Sequence, residues 1–134
     1  MSASRRIVER AYEAFAQRDA ETLVSIADPA IEISSVTGII AGRENPYTGR
    51  EALSQYLADV ERIWDEMELL PQEYHELGPD RVLVFGRVRA RRGKSRLDVP
   101  NAWIWELRDD LVVSVHVYAE PAADARWLFR REPT

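Results

Sequence analysis

The sequence predicts an α+β domain in which three N-terminal helices pack over the concave face of a cone-shaped, curved antiparallel sheet. Three observations carry this prediction. Apolar residues in the first part of the chain recur at helical spacing, whereas from Glu68 onward the period changes to two. The segment 97–120, LDVPNAWIWELRDDLVVSVHVYAE, contains two dense strand-type runs folded back at Arg108-Asp109-Asp110. Finally, 134 residues with 46% hydrophobic and 31% charged side chains suffice for one conventional core, so the whole chain, 1–134, reads as a single domain.

The elements follow in order. Ile7, Val8, Ala11, Tyr12, Ala14 and Phe15 form the apolar stripe of a helix over residues 4–17. Asp19 is placed to N-cap a short second helix carrying Leu23 and Ile26, which should stop near Asp28-Pro29. Residues 30–36 read as a strand with Ile31, Ile33 and Ser35 on one face and Glu32 and Ser34 on the other. Gly38, Gly42 and Pro46 mark residues 37–47 as loop-like. Thr48-Gly49-Arg50-Glu51 has the spacing of a capping box, and Leu53, Tyr56, Leu57, Val60, Ile63, Trp64 and Met67 continue one face of the helix it opens. A meander follows, with turns at Gly78-Pro79-Asp80 and Arg92-Gly93-Lys94 around a strand over 81–91, then the two strands of the 97–120 segment. Pro121 ends it, and residues 122–131 suggest a terminal helix.

Composition excludes several function classes. Without cysteine there is no disulfide, thiolate metal site or cysteine nucleophile. No apolar run approaches the ~20 residues of a spanning helix, so no membrane partner is expected. The charged N-terminus lacks the apolar core of a signal peptide, and the protein reads as cytoplasmic. The net charge of −5 argues against nucleic acid. Locally, Arg87, Arg89, Arg91, Arg92, Lys94 and Arg96 could hold an anion or RNA. The competing reading is an exposed hairpin with alternate positions in water, without the interleaved aromatics of a strand-binding platform. No His-x-x-x-His, Glu-x-x-His or acidic loop cluster indicates a metal, and no Gly-rich phosphate loop or nucleophile elbow is present, so neither metal nor cofactor is expected.

The element order, the Gly-Arg-Glu helix entry at residues 49–51, and the run Gly93, Pro100, Ala102 to Trp105, Arg108-Asp109, Tyr118 and Glu120 resemble the SnoaL-like branch of the nuclear transport factor 2-like superfamily. The resemblance spans nearly the whole chain and implies a cone that holds a small, largely apolar molecule, with a homodimer formed through the convex sheet face. Ketosteroid isomerases share this fold and use a carboxylate base, a Tyr and a protonated Asp. Aligning strand order with that pattern puts Ser34, Ala11 and Trp103 at those three places, which argues against ketosteroid isomerisation. Neither the epoxide hydrolase nor the dehydratase pattern is found.

In that register Val99, Asn101, Trp103 and Trp105 face the pocket with Val115, Val117 and Ala119, while Ser114, His116 and Tyr118 face outward toward a partner subunit. A one-residue slip would turn His116 inward as an acid or base. The expected pocket is therefore Ser34, Tyr56, Asn101, Trp103 and Trp105, with Glu32 as candidate base and His116 as a second catalytic candidate. Trp103 and Trp105 serve either as core or as a platform. Asn101 on an apolar face must find a hydrogen-bonding partner in a neighbour, water or ligand. Two functions remain open: a cofactor-independent cyclase, isomerase or hydrolase, or a non-catalytic binding or dimeric interaction module.

Overall fold

The computed structural model describes residues 2–35, 37 and 47–118. Three helices and six strands are described: α1 (Ala3–Ala16), α2 (Ala20–Ser25), β1 (Ala27–Ser34), β2 (Tyr47–Thr48), α3 (Glu51–Ile63), β3 (Glu66–Glu76), β4 (Arg81–Arg92), β5 (Ser95–Arg108) and β6 (Leu111–Tyr118). The strands form one sheet in the order β2-β1-β6-β5-β4-β3, with α1, α2 and α3 on its inner face. The expected terminal helix at 122–131 and most of the loop-like segment 37–47 lie outside the described residues.

The meander β3-β4-β5-β6 is antiparallel throughout, but β1 runs parallel to β6, so the sheet is mixed rather than wholly antiparallel. The physical reason is long-range. The meander returns β6 alongside β1, and the two strands, with the rest of the chain between them, point the same way. Register shifts at Pro71/Glu73 and Glu106/Leu107 add residues to one strand of a pair, which bends and twists the sheet into a cone wall. The β5–β6 turn places both Asp109 (φ 53°) and Asp110 (φ 63°) in the left-handed region required of a two-residue type I′ hairpin.

Local chemistry explains where boundaries fall. Ser2 caps α1 by accepting from the Arg5 N–H, and Asp19 caps α2 by accepting from the Thr22 N–H at 3.1 Å and its hydroxyl at 2.7 Å. Strand β1 begins at Ala27, earlier than expected. Pro29 fits because it falls where the β1–β6 register shifts, and so no ladder N–H is needed from it.

The capping box does not form. Thr48 is instead paired with Glu32 in the sheet, Gly49 turns the chain at φ 87°, and α3 starts after Arg50 without a side-chain cap. The Arg50 guanidinium reaches back to the Ala27 carbonyl at 2.9 and 3.1 Å. Helix α3 also ends sooner than its apolar periodicity suggests. The Asp65 N–H bonds to the Arg91 carbonyl at 2.7 Å, so the chain enters β3 and carries Met67 with it.

Strand β4 is apolar on both faces. Val82, Val84 and Val88 enter the main core beneath the helices, while Leu83 and Phe85 join Ala102 in a second cluster on the outer face. Beyond Phe85 the outer positions become Arg87, Arg89 and Arg91. Arg87 and Arg89 both pair with Asp98, at 2.8 and 3.4 Å, and Arg91 pairs with Asp65 and Glu66. Arg87, Arg89 and Arg91 thus stand on one outer face of the hairpin and meet acidic neighbours there, consistent with strand alternation. Among the described residues no helix is long and apolar enough to cross a membrane.

Candidate functional site

The helices do not fill the cone. Between them and the sheet lies a cavity of about 70 Å³, adjoined by a second, smaller lobe of about 20 Å³. The two lobes lie side by side, and Ser35, Tyr56, Leu69, Trp103 and Val117 line both.

Each wall follows from a local pattern. One turn apart on α1, Val8, Tyr12 and Phe15 fall on its buried stripe, and Tyr12 and Phe15 reach the first lobe. Leu53 and Tyr56 of α3 come in on the other side. The pairings Trp103↔Val117 and Trp105↔Val115 place those four side chains on the inner face, and the register shift at Glu106/Leu107 brings Val112 in after them. The intervening Ile104↔His116 pair is then on the opposite face.

Aromatic side chains organise the interior. Tyr12 meets Trp103 and Trp105 edge-to-face at 5.4 and 5.3 Å, and Tyr56 contacts both Phe15 and Tyr47. Trp105 donates its indole N–H to the Tyr12 hydroxyl at 3.1 Å. Arg18, in the left-handed region at φ 55°, holds the Phe15 ring from behind. Its guanidinium lies 4.3 Å from the ring centre and donates to the carbonyls of Phe15 and Met67. Burial raises the phenol pKa of both Tyr12 and Tyr56 well above the usual tyrosine value, so each is a neutral O–H at physiological pH.

In the second lobe, Trp64 donates to the Thr37 hydroxyl at 3.1 Å. Asn101 is 1% exposed, and neither its amide nitrogen nor its carbonyl oxygen has a hydrogen-bonding partner. Opposite it on β4 stands Gly86, where a side chain cannot fit: a Cβ would sit 2.1 Å from the Leu70 carbonyl oxygen. The neighbouring strand therefore offers Asn101 no side-chain partner, and the amide faces the lobe.

Of the side chains expected at the site, Tyr56, Asn101, Trp103 and Trp105 line the cavity. Glu32 and Ser34 do not. Ile31, Ile33 and Ser35 take the inner positions, and pleating sends Glu32 to an exposed outer position and Ser34 to the outer face beside His116. The two expectations were incompatible with β1's own alternation, which already put Glu32 and Ser34 opposite Ile31 and Ile33. His116 is half-buried on the outer face and lines neither lobe. His75 is also outer, edge-on to Phe85, whereas Tyr74 faces inward against Tyr12.

Sequence reasoning missed Tyr12, Phe15, Ser35, Thr37 and Trp64. The periodicity of α1 contained the signal for the first two. Strand-order transfer had placed Ala11 at the helix position, and Tyr12, one residue on, also reaches the cavity. Among the described residues no lining side chain is a carboxylate, histidine, lysine or arginine. Nor is there a group of three or more His, Asp or Glu placed to hold a metal.

Known proteins of similar architecture now bear on the reading. The chain is similar in structure to a nuclear transport factor 2-like protein of unknown function from Burkholderia pseudomallei, with 22% identity over 94% of this chain and 97% of the other and a TM-score of 0.80. It is similar to TerC co-crystallised with polyporic acid, with 24% identity over 93% and 97% of the two chains and a TM-score of 0.79. A Mycobacterium tuberculosis protein in complex with estradiol-17β-hemisuccinate shares 14% identity over 88% and 94%, with a TM-score of 0.73. At these identities the likeness is one of fold. No curated protein matches the chain. The family model described as SnoaL-like domain matches residues 8–115, the span from α1 into β6 that supplies every lining residue of the two lobes but Val117. The chain belongs to the SnoaL-like domain family.

Proposed function

We propose that this protein takes a small, largely apolar, ring-bearing molecule into the two-lobed cavity between α1, α3 and the inner sheet face. The observation that carries the reading is the apolar, aromatic-lined hollow itself, which the described side chains leave unfilled between the helices and the sheet. Two proteins of the same fold support it by their ligands, polyporic acid in one and estradiol-17β-hemisuccinate in the other. Edge-to-face packing of Tyr12 on Trp103 and Trp105 stiffens one wall, so a flat ligand meets a preformed surface.

Transformation of the ligand, as by a cyclase, isomerase or hydrolase without a cofactor, is one form of this reading, with the neutral Tyr12 and Tyr56 hydroxyls as proton donors. Binding without transformation is the other, and the lack of an ionisable side chain other than tyrosine among the described lining residues favours it. A homodimer through the outer sheet face belongs to the same proposal. Leu83, Phe85 and Ala102 are already covered, so such a contact rests on the half-buried Ile104 and His116 beside them. Sedimentation at twice 15.4 kDa supports the dimer, and a monomer removes it.

A thermal-shift and tryptophan-fluorescence screen of small aromatic and polycyclic compounds tests the pocket. Hits should raise the melting temperature of the wild-type protein and lose their effect in Val117→Trp, which fills the junction between the lobes. Hits that stabilise the wild type and Val117→Trp equally would place binding elsewhere and end the proposal.

A further inference from the structure

We infer that Asn101 selects, at the end of the second lobe, a neutral ligand group in which a hydrogen-bond donor and acceptor stand side by side. A lactam or other cis amide presents this group, as do an enolised hydroxy ketone and an un-ionised carboxylic acid. The inference rests on the proposed pocket and specifies its ligand.

A buried amide without partners forfeits the hydrogen bonds that water gives it when unfolded, a substantial cost for one side chain. Both ends of the Asn101 amide are unpartnered. A planar carboxamide carries its N–H donor and C=O acceptor adjacent and in one plane. One ligand group satisfies both ends at once only if it presents the complementary acceptor and donor at the same spacing.

The surroundings narrow the choice. Gly86 gives the amide no side-chain partner on the β4 side, because the Leu70 carbonyl already occupies the space a side chain would need. Trp103 lines both lobes on the same strand face, two residues along, so a ring lying against it can point its polar edge at Asn101. No cationic side chain among the described lining residues offsets a carboxylate, and no anionic one offsets an ammonium. A charged ligand end would enter this lobe uncompensated, which selects neutral groups.

Three bicyclic probes of nearly equal size test the inference by isothermal titration calorimetry on the full chain: naphthalene (neither group), quinoline (acceptor only) and 2-quinolone (adjacent N–H and C=O). The wild type should bind 2-quinolone at least about tenfold more tightly than naphthalene or quinoline, although it is the least apolar of the three. Asn101→Leu should reverse the order, with naphthalene binding best. If naphthalene and quinoline bind the wild type as tightly as 2-quinolone does, the amide is satisfied by something other than ligand, such as a fixed water, and the inference fails while the apolar pocket stands. Unchanged preference in Asn101→Leu also overturns it. If none of the three binds the wild type, pocket and inference fall together. The wild-type ranking requires no variant, so the test survives a substitution that does not fold.

Discussion

Trp105 and Tyr12, 93 positions apart in the chain, are joined by a buried 3.1 Å hydrogen bond from the indole N–H to the phenol oxygen. This bond ties the middle of α1 to the strand behind the cavity and satisfies an indole donor that would otherwise be stranded. Tyr12→Phe keeps the ring but removes the acceptor. It should cost about 1–3 kcal/mol in urea unfolding, because the Trp105 N–H then stays buried without a partner. In a double-mutant cycle with Trp105→Phe the pair should show a coupling of about 1 kcal/mol. Additive effects would mean the two residues act independently.

Gly86 is required by space. Its Cβ would stand 2.1 Å from the Leu70 carbonyl oxygen and 2.9 Å from the Pro71 Cα, both backbone atoms of the neighbouring strand. Gly86→Ala should therefore destabilise the fold by roughly 3 kcal/mol, by forcing β3 away at its register shift. Gly78→Ala is the contrast. It has nothing within 4 Å and only its φ of 97° to object, at about 1–2 kcal/mol. Equal effects would show that conformation, not contact, governs Gly86.

Asn101→Leu should stabilise the empty protein by about 1–3 kcal/mol, since it removes two unsatisfied buried polar atoms and breaks no hydrogen bond. Thermal unfolding without ligand checks this. A loss of stability would mean that Asn101 is hydrogen-bonded in solution.

Alkaline unfolding should follow the buried phenols. Burial holds the pKa of Tyr12 and Tyr56 above the unfolded value of about 10. The folded state then retains protons that the unfolded state releases, and stability falls as pH rises above about 10. Phenolate absorbance should show these two of the five tyrosines ionising only with loss of structure. Five reversible titrations in the folded protein would contradict their burial.

Acid should weaken different bonds. The side-chain hydrogen bond from Thr22 holds the Asp19 carboxyl below the usual aspartate range, and that from Arg87 does the same for Asp98. Their stabilisation is present above about pH 4 and is lost as pH falls through the lowered folded values. Asp19→Ala should be less stable than the wild type at neutral pH. The difference should close on acidification, as followed by helical circular dichroism.

Much of the fold was legible because its signals are local. The stripe of α1, the Asp19 cap, the turns at Gly78 and Gly93 and the Arg108–Leu111 hairpin all depend on residues within a few positions of one another. The inward alternation Asn101-x-Trp103-x-Trp105 was legible for the same reason, since pleating alone separates it from His116. The Thr48 capping box shows the limit of this logic. Its spacing was correct, but Thr48 was already engaged by Glu32 from another strand.

By itself, then, the sequence determined most of the helices and strands and which side chains share a face, because those depend on backbone period and short-range capping. Tertiary structure alone decided that β1 lies parallel to β6 and that Tyr12 reaches Trp105. It alone also left Asn101 without a partner, through the close approach of Leu70 to Gly86. Each of these depends on atoms far apart in the chain whose meeting is set by sheet curvature and the packing of helices on it, and no local pattern encodes that distance.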